Sequence, residues 1–122
     1  MKLIGVDFDQ TLCDTKPYWL TGPPVPGAIT WIDQWRHAGA KVYLHSTRFG
    51  PSRWIAASWC KKNGIFLDGY DHPWWWIFGS KPPYGRIVDD RDENCPVIVG
   101  SNGLPIVDWV LVGPDVLKWI KS

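Results

Sequence analysis

The chain lacks the features that mark membrane and secreted proteins. Its 122 residues contain no apolar run approaching the roughly 20 residues that a membrane-spanning helix needs. The apolar stretch at the start is interrupted by Asp7 and Asp9, too early for the apolar region of a signal peptide. We therefore expect a cytoplasmic protein with no membrane partner.

The chain also has little net charge. Its 13 lysines and arginines nearly balance 12 aspartates and glutamates, which leaves a formal net charge of +1 at pH 7. Proteins that bind nucleic acid through bulk charge carry a strongly basic surface. The composition excludes that class, although it does not exclude contact with a single nucleic-acid end.

Cysteine is scarce and scattered. Cys13, Cys60 and Cys95 form no CxxC pair and have no histidine at zinc-finger spacing. A disulfide scaffold and a structural zinc site are both excluded on this pattern. We expect reduced, mostly buried thiols.

What the chain does have is an average globular composition and a large amount of tryptophan. Hydrophobic residues make up 45% and charged residues 20%, which predicts one folded domain over residues 1–122. Ten residues are tryptophan, including the run Trp74–Trp76. Neighbouring side chains point in different directions on a helix or strand, so the three rings cannot all face inward. A lid, an interface and core packing remain three interpretations of this run.

Hydrophobic periodicity and the positions of glycine and proline predict an α/β domain. Strand-like and helix-like segments alternate in the first two thirds, which is typical of a Rossmann-like three-layer fold with a mainly parallel central sheet. The predicted strands are Lys2–Val6, Lys41–His45, Ile65–Leu67, Arg86–Val88, Pro96–Val99 and Ile106–Val112, and the predicted helices are Ala28–His37, Ser52–Asn63 and Asp115–Lys121.

Polar residues follow three of these strands at their carboxyl ends. Asp7 follows the first strand, Ser46 follows the second, and Asp89 and Asp90 follow the fourth. In parallel sheets the carboxyl ends of the strands lie at one edge, where ligands bind. The sequence therefore predicts a ligand site at this edge.

The acids at this edge indicate a metal-dependent phosphate site. Asp7 and Asp9 project to the same side of an extended chain, and one like-charge pair at about 4 Å costs roughly 4 kcal/mol at an effective dielectric near 20. A divalent cation relieves this repulsion, and Mg²⁺ prefers hard oxygen ligands and bridges to phosphate. Lys81 supplies a cation for the transferred group. A carboxylate nucleophile, a second acid, a metal and a lysine together indicate phosphoryl transfer through an aspartyl phosphate.

Four segments resemble the motifs of haloacid dehalogenase (HAD) superfamily phosphatases, in family order. The run from Asp7 to Thr11 resembles the DxDxT motif, and the run from Val42 to Ser46 resembles the second motif. Lys81 corresponds to the third-motif lysine, and the run from Ile87 to Asp90 to the fourth-motif acidic pair. One departure is Gln10, which stands where glycine is usual.

The resemblance implies roles for individual residues. Asp7 is expected to be the nucleophile, and Asp9 the general acid and then the general base. The implied Mg²⁺ ligands are Asp7, the backbone carbonyl of Asp9, Asp89 and Asp90. The expected phosphate-binding residues are Thr11, Ser46, Thr47 and Lys81, with Ser46 favoured over Thr47. Arg48 is open to two interpretations, a second phosphate contact or a surface ion pair.

Neither of the family's cap positions holds enough residues for a cap domain. The segments 13–27 and 68–80 are both short, so the resemblance is to small capless members with an open site. It implies a Mg²⁺-dependent phosphatase acting on a phosphorylated small molecule or a nucleic-acid end. The alternative is a non-catalytic phosphate-binding or protein-interaction module that uses the tryptophan-rich surface. The sequence is compatible with an oligomer.

Overall fold

The structure is a computed structural model that describes residues 2–15, 21–46, 48, 51–70, 84–101 and 103–122. Predictions for Thr47, Lys81 and the Trp74–Trp76 run lie outside the described residues. The part of the chain that is described has an α/β architecture, as expected, which is compatible with a Rossmann-like fold.

The centre of the fold is a four-stranded parallel sheet. Its strand order is β3-β2-β1-β4, and all neighbouring pairs are parallel. Val6, the last residue of the central strand, lies opposite Leu44 on one side and Val88 on the other. This register aligns the carboxyl ends of three strands. The four strands are β1 Leu3–Val6, β2 Lys41–Leu44, β3 Gly69–Tyr70 and β4 Arg86–Val88.

Within the residues that the structure describes, three helices accompany this sheet. They are α1 Ala28–His37, α2 Pro51–Lys62 and α3 Trp109–Ile120. Helix α1 packs on α3 through Trp35, whose ring centroid lies 5.2 Å from that of Trp109 and whose Nε1 donates to the Gly113 carbonyl oxygen at 3.0 Å. Gly113 permits the close approach of the two helices, because a Cβ at this position of α3 would lie 2.2 Å from Cδ2 of Trp31 on α1.

A two-stranded antiparallel hairpin follows the parallel sheet. It consists of β5 Val97–Val99 and β6 Pro105–Val107. Strand β6 is bonded to the loop after β1, because the Val107 amide donates to the Gln10 carbonyl oxygen at 2.9 Å. The hairpin therefore supports the loop that carries the candidate catalytic acids.

The predicted bounds of three elements were wrong: the third strand, the last strand and the last helix. The third strand is not Ile65–Leu67 but Gly69–Tyr70: the Ile65 amide donates to the Cys60 carbonyl oxygen, which ties this residue to the end of α2. Pairing with β2 begins only at Asp68, whose amide donates to the Val42 carbonyl oxygen.

The predicted strand Ile106–Val112 is a strand only to Val107, and the last helix begins well before the predicted Asp115. The Asp108 side chain caps the helix by accepting from the Val110 amide at 3.2 Å. Burial at helical spacing, at Trp109, Val112 and Val116, overrides the strand preference of the valine-rich segment.

The remaining expectations concern thiols and membrane segments. All three cysteines are free, with Cys13 and Cys60 buried and Cys95 half-buried. Among the described residues, no helix combines the length and the apolar composition needed to cross a membrane.

Candidate active site

Three carboxylates meet at the carboxyl edge of the parallel sheet. Asp7 directly follows β1 and its amide donates to the Val88 carbonyl oxygen at 2.9 Å, which continues the pairing of β1 with β4. Asp89 and Asp90 directly follow β4. One oxygen from each of Asp7, Asp89 and Asp90 lies within 4.8 Å of the other two. The predicted convergence of these acids is present in the structure.

The three carboxylates of this trio repel one another, and a bound cation would relieve this repulsion. Burial, followed by repulsion from Asp89 and Asp90, raises the pKa of Asp7 to about 9. Burial also raises the pKa of Asp90 to about 6, together with its hydrogen bond to Asp89. The raised pKa of Asp7 means that a proton on this carboxyl relieves the repulsion when no cation is bound. Hard carboxylate oxygens at this spacing fit Mg²⁺, whose charge would replace that proton.

Asp9 lies near the trio along the chain but its carboxylate has other partners. Arg48 holds both oxygens, with Nη2 2.5 Å from Oδ1 and Nε 3.0 Å from Oδ2. The Thr15 hydroxyl also donates to Oδ1 at 2.9 Å. The Asp9 side chain is 37% exposed and so remains accessible to a substrate. Metal ligation through the Asp9 backbone carbonyl stays a prediction.

Arg48 is the site residue whose contacts differ most from the expectation from sequence. Its side chain is only 6% exposed, and its guanidinium carbon lies 4.7 Å from the centroid of the Phe8 ring. Nη1 lies 3.3 Å from the Ser52 hydroxyl in the first turn of α2. Arg48 forms an ion pair, but the expected surface location was wrong, because the arginine side of the pair is buried. The sequence feature that could have placed Arg48 at the site is its position just past a strand whose end lies beside the DxD motif.

Thr11 and Ser46 bind neighbouring backbone. Thr11 is fully buried, and its hydroxyl accepts from the Asp90 amide at 3.3 Å, which joins the first and fourth motifs. Ser46 is 9% exposed, and its hydroxyl accepts from the Arg48 amide at 3.1 Å. Phosphate binding by Thr11 and Ser46 stays a prediction. The same roles predicted for Thr47 and Lys81 fall outside the residues described.

Gln10 adopts a backbone conformation that favours glycine. Its φ of 62° lies in the left-handed region, which costs a non-glycine residue about 1–2 kcal/mol. Its side chain compensates through two hydrogen bonds worth about 0.5–1.5 kcal/mol each. Nε2 donates to the Pro105 carbonyl oxygen at 3.0 Å, and Oε1 accepts from the Thr15 amide at 2.9 Å. Gln10 therefore ties the DxDxT loop to the β5–β6 hairpin.

A groove of 890 Å³ runs along the length of α2. Trp54 is 79% exposed in it, and Arg53 and Lys62 contribute positive charge. Its full lining is Thr21, Pro51, Arg53, Trp54, Ile55, Ser58, Trp59 and Lys62. The lining contains no acid, so the groove suits an anionic ligand with a flat ring.

Mg²⁺ should raise the thermal unfolding temperature, and more so at higher pH. Because the folded pKa of Asp7 is raised from 3.8 to about 9, the folded protein keeps a proton that the unfolded chain releases within this window. The contribution of Asp7 to stability is therefore present at low pH and is lost as pH rises through about 9. Mg²⁺ competes with that proton, so at about 100 times its Kd we expect a shift of about 5–10 °C above pH 8 and little shift near pH 5. Calorimetry with Mg²⁺ or EDTA at matched ionic strength measures this.

The Asp89→Asn variant is the control for that measurement. It removes one ligand of the trio and should lose most of the Mg²⁺ shift. A shift that is absent, or that is the same at all pH values, would contradict a cation site at these three carboxylates.

Comparison with known proteins gives the fold and no family. No protein-family model matches the chain, and no curated protein matches it. Among solved structures, it is similar to a conserved protein from Bacteroides thetaiotaomicron, with a TM-score of 0.70 and 24% sequence identity. The similarity covers 96% of this chain and 90% of the other. At this identity, what the two chains share is the fold.

Proposed function

We propose that this protein is a Mg²⁺-dependent phosphatase of the HAD type, which hydrolyses phosphate monoesters through an aspartyl-phosphate intermediate. The observation that carries the proposal is the trio of Asp7, Asp89 and Asp90 within 4.8 Å at the carboxyl edge of a parallel sheet. A structural role gives no reason to gather three acids where burial and mutual repulsion raise the pKa of Asp7 and of Asp90. A cation-dependent reaction at Asp7 does.

In this proposal a carboxylate oxygen of Asp7 attacks the substrate phosphorus. The new bond joins Asp7 to phosphorus, and the bond between phosphorus and the leaving oxygen breaks with its electron pair going to that oxygen. Asp9, as the general acid, delivers a proton to the leaving oxygen. Water then attacks the phosphorus of the aspartyl phosphate while Asp9 takes the water's proton. The bond between phosphorus and the Asp7 oxygen breaks with its electron pair going to the Asp7 carboxylate, which leaves inorganic phosphate and free Asp7.

Mg²⁺, held by Asp7, Asp89 and Asp90, would supply charge neutralisation for the phosphoryl oxygens when bound. The chain itself orients the two reacting acids. Strand pairing of β1 with β4 positions Asp7, and the contact of Thr11 with the Asp90 amide holds the two loops together. Arg48 and Thr15 hold the Asp9 carboxylate in one place.

A nucleotide or a nucleic-acid end is the substrate class that the groove along α2 favours. Trp54 offers a stacking surface for a base, worth about 1–3 kcal/mol. Arg53 and Lys62 place positive charge along the same groove. Sugar phosphates have no flat ring that could stack on Trp54.

A phosphatase screen tests the proposal. Purified protein should release phosphate from para-nitrophenyl phosphate with Mg²⁺ and lose this activity in EDTA. Nucleoside monophosphates and 5′- or 3′-phosphorylated oligonucleotides should be hydrolysed with higher kcat/KM than sugar phosphates.

The non-catalytic alternative makes the opposite forecast. A phosphate-binding or protein-interaction module would bind Mg²⁺ or phosphate without hydrolysing any ester in the panel. Absence of turnover in the presence of a measured Mg²⁺ shift would therefore overturn the enzymatic proposal.

A further inference from the structure

The two outer edges of the β5–β6 hairpin differ. The edge of β6 is covered by Gln10, which accepts from the Val107 amide and donates to the Pro105 carbonyl oxygen. On β5, the Pro96 carbonyl oxygen and the Gly100 amide both bond inward, to residues on the β6 side. Ile98 pairs with Ile106 between them.

Antiparallel alternation then directs the backbone groups of Val97 and Val99 outward. Within the ranges that the structure describes, no hydrogen bond reaches these outward groups. Exposed edge strands with open backbone groups are templates for pairing with another strand.

The side chains on this edge are apolar and exposed. Ile98 is 47% exposed and Val99 78%, and the strand Val97–Val99 carries no charge. Val110, in the first turn of α3, is also apolar and 75% exposed. The start of α3 is joined to the start of β5 by the hydrogen bond from the Asp108 amide to the Pro96 carbonyl oxygen. Natural edges are usually blocked by lysine, proline or a bulge, and β5 has none of these within it.

We propose that two copies of this chain associate through β5, which pairs with β5 of the other copy in antiparallel orientation. A two-fold axis passes beside Ile98, so that the two Ile98 side chains face each other. Val97 of each copy then exchanges backbone hydrogen bonds with Val99 of the other.

A second copy is the occupant that this edge fits best. The outward donors and acceptors of Val97 and Val99 are symmetric about Ile98, so the strand complements itself. Both copies use their open edge in the pair, so the assembly closes at two chains. With a net charge of +1, repulsion between whole molecules is weak.

Sedimentation equilibrium on the full chain tests this dimer. Wild-type protein should have twice the 13.9 kDa mass of one chain, in a concentration-dependent equilibrium. Ile98→Lys places two like charges across the axis and should raise the dimer dissociation constant at least about tenfold. Phe66→Lys is the matched control, because Phe66 is an exposed apolar residue on the loop after α2 and should leave the mass unchanged.

A mixture of Ile98→Lys and Ile98→Glu proteins should restore the dimer, because opposite charges then face each other. Far-ultraviolet circular dichroism establishes that each variant is folded, and Val99→Lys replaces Ile98→Lys if that variant is not. A monomeric wild type at every concentration would overturn the proposal. So would a dimer unaffected by these edge variants, or one that fails to reform in the mixture, since another surface or another partner would then be involved.

Discussion

Replacing Asp7 by Asn should reduce phosphatase activity by at least about a thousandfold, since the amide cannot attack phosphorus and no other carboxylate takes its place. Stability should move in the opposite direction. The pKa of Asp7 is raised to about 9 because ionisation is unfavourable in this buried position beside Asp89 and Asp90. In EDTA near pH 8, removing the titrating group should leave the unfolding temperature unchanged or raise it. Steady-state kinetics and calorimetry on the same preparation measure both effects.

The control is Asp33→Asn, the same chemical change on an exposed position of α1. It should leave kcat and KM unchanged. Acid quenching of wild-type protein during turnover should trap phosphate on a peptide containing Asp7, detectable by mass spectrometry. Activity that survives Asp7→Asn, or a trapped phosphate on any other residue, would end the assignment of Asp7 as nucleophile.

The convergence of the acids was predictable because it depends only on strand order and polarity. Asp7 and Asp89 directly follow adjacent parallel strands, and the register that places Val6 beside Val88 brings them together. Any parallel sheet with β1 beside β4 would do the same. The sequence patterns of β1, α1 and β4 were also local and strong, and their predicted bounds match the structure to within a residue.

What could not be predicted depends on tertiary contacts. Gly69–Tyr70 has no strand pattern of its own and is a strand because it lies beside β2. The start of α3 is decided by burial of Trp109 and by the Asp108 cap, neither of which a valine-rich segment reveals. The pairing of Arg48 with Asp9 joins a long flexible side chain to an acid 39 positions away in the chain. The position of Arg48 just past a strand end indicates that it lies near the site, but it does not identify the acid with which it pairs.

That pairing leads to the second large effect, expected for Arg48→Met. Because Arg48 holds both oxygens of Asp9, its loss should leave the proposed general acid poorly oriented. We expect kcat to fall about 10- to 100-fold with KM nearly unchanged, since a contact with the reacting acid is lost and Arg48 does not line the groove proposed to bind the substrate. The free energy of unfolding should fall by about 1–3 kcal/mol, less than for a fully buried pair because Asp9 is partly exposed.

Three comparisons separate orientation of Asp9 from general destabilisation. The loss of kcat should be larger for an alkyl phosphate than for para-nitrophenyl phosphate, whose leaving group needs less help from a proton donor. Arg48→Lys should recover only part of the activity, because lysine keeps the charge and loses the two-point contact. Arg36→Met breaks a similar two-point pair with Asp68, with contacts of 3.2 and 3.3 Å, and should lower stability while leaving kcat unchanged. Two outcomes would assign Arg48 a purely structural role. One is an equal loss of kcat in the arginine variants at positions 36 and 48, and the other is an equal loss of kcat for the alkyl phosphate and for para-nitrophenyl phosphate. Only a residue that orients the proton donor makes the rate depend on the leaving group.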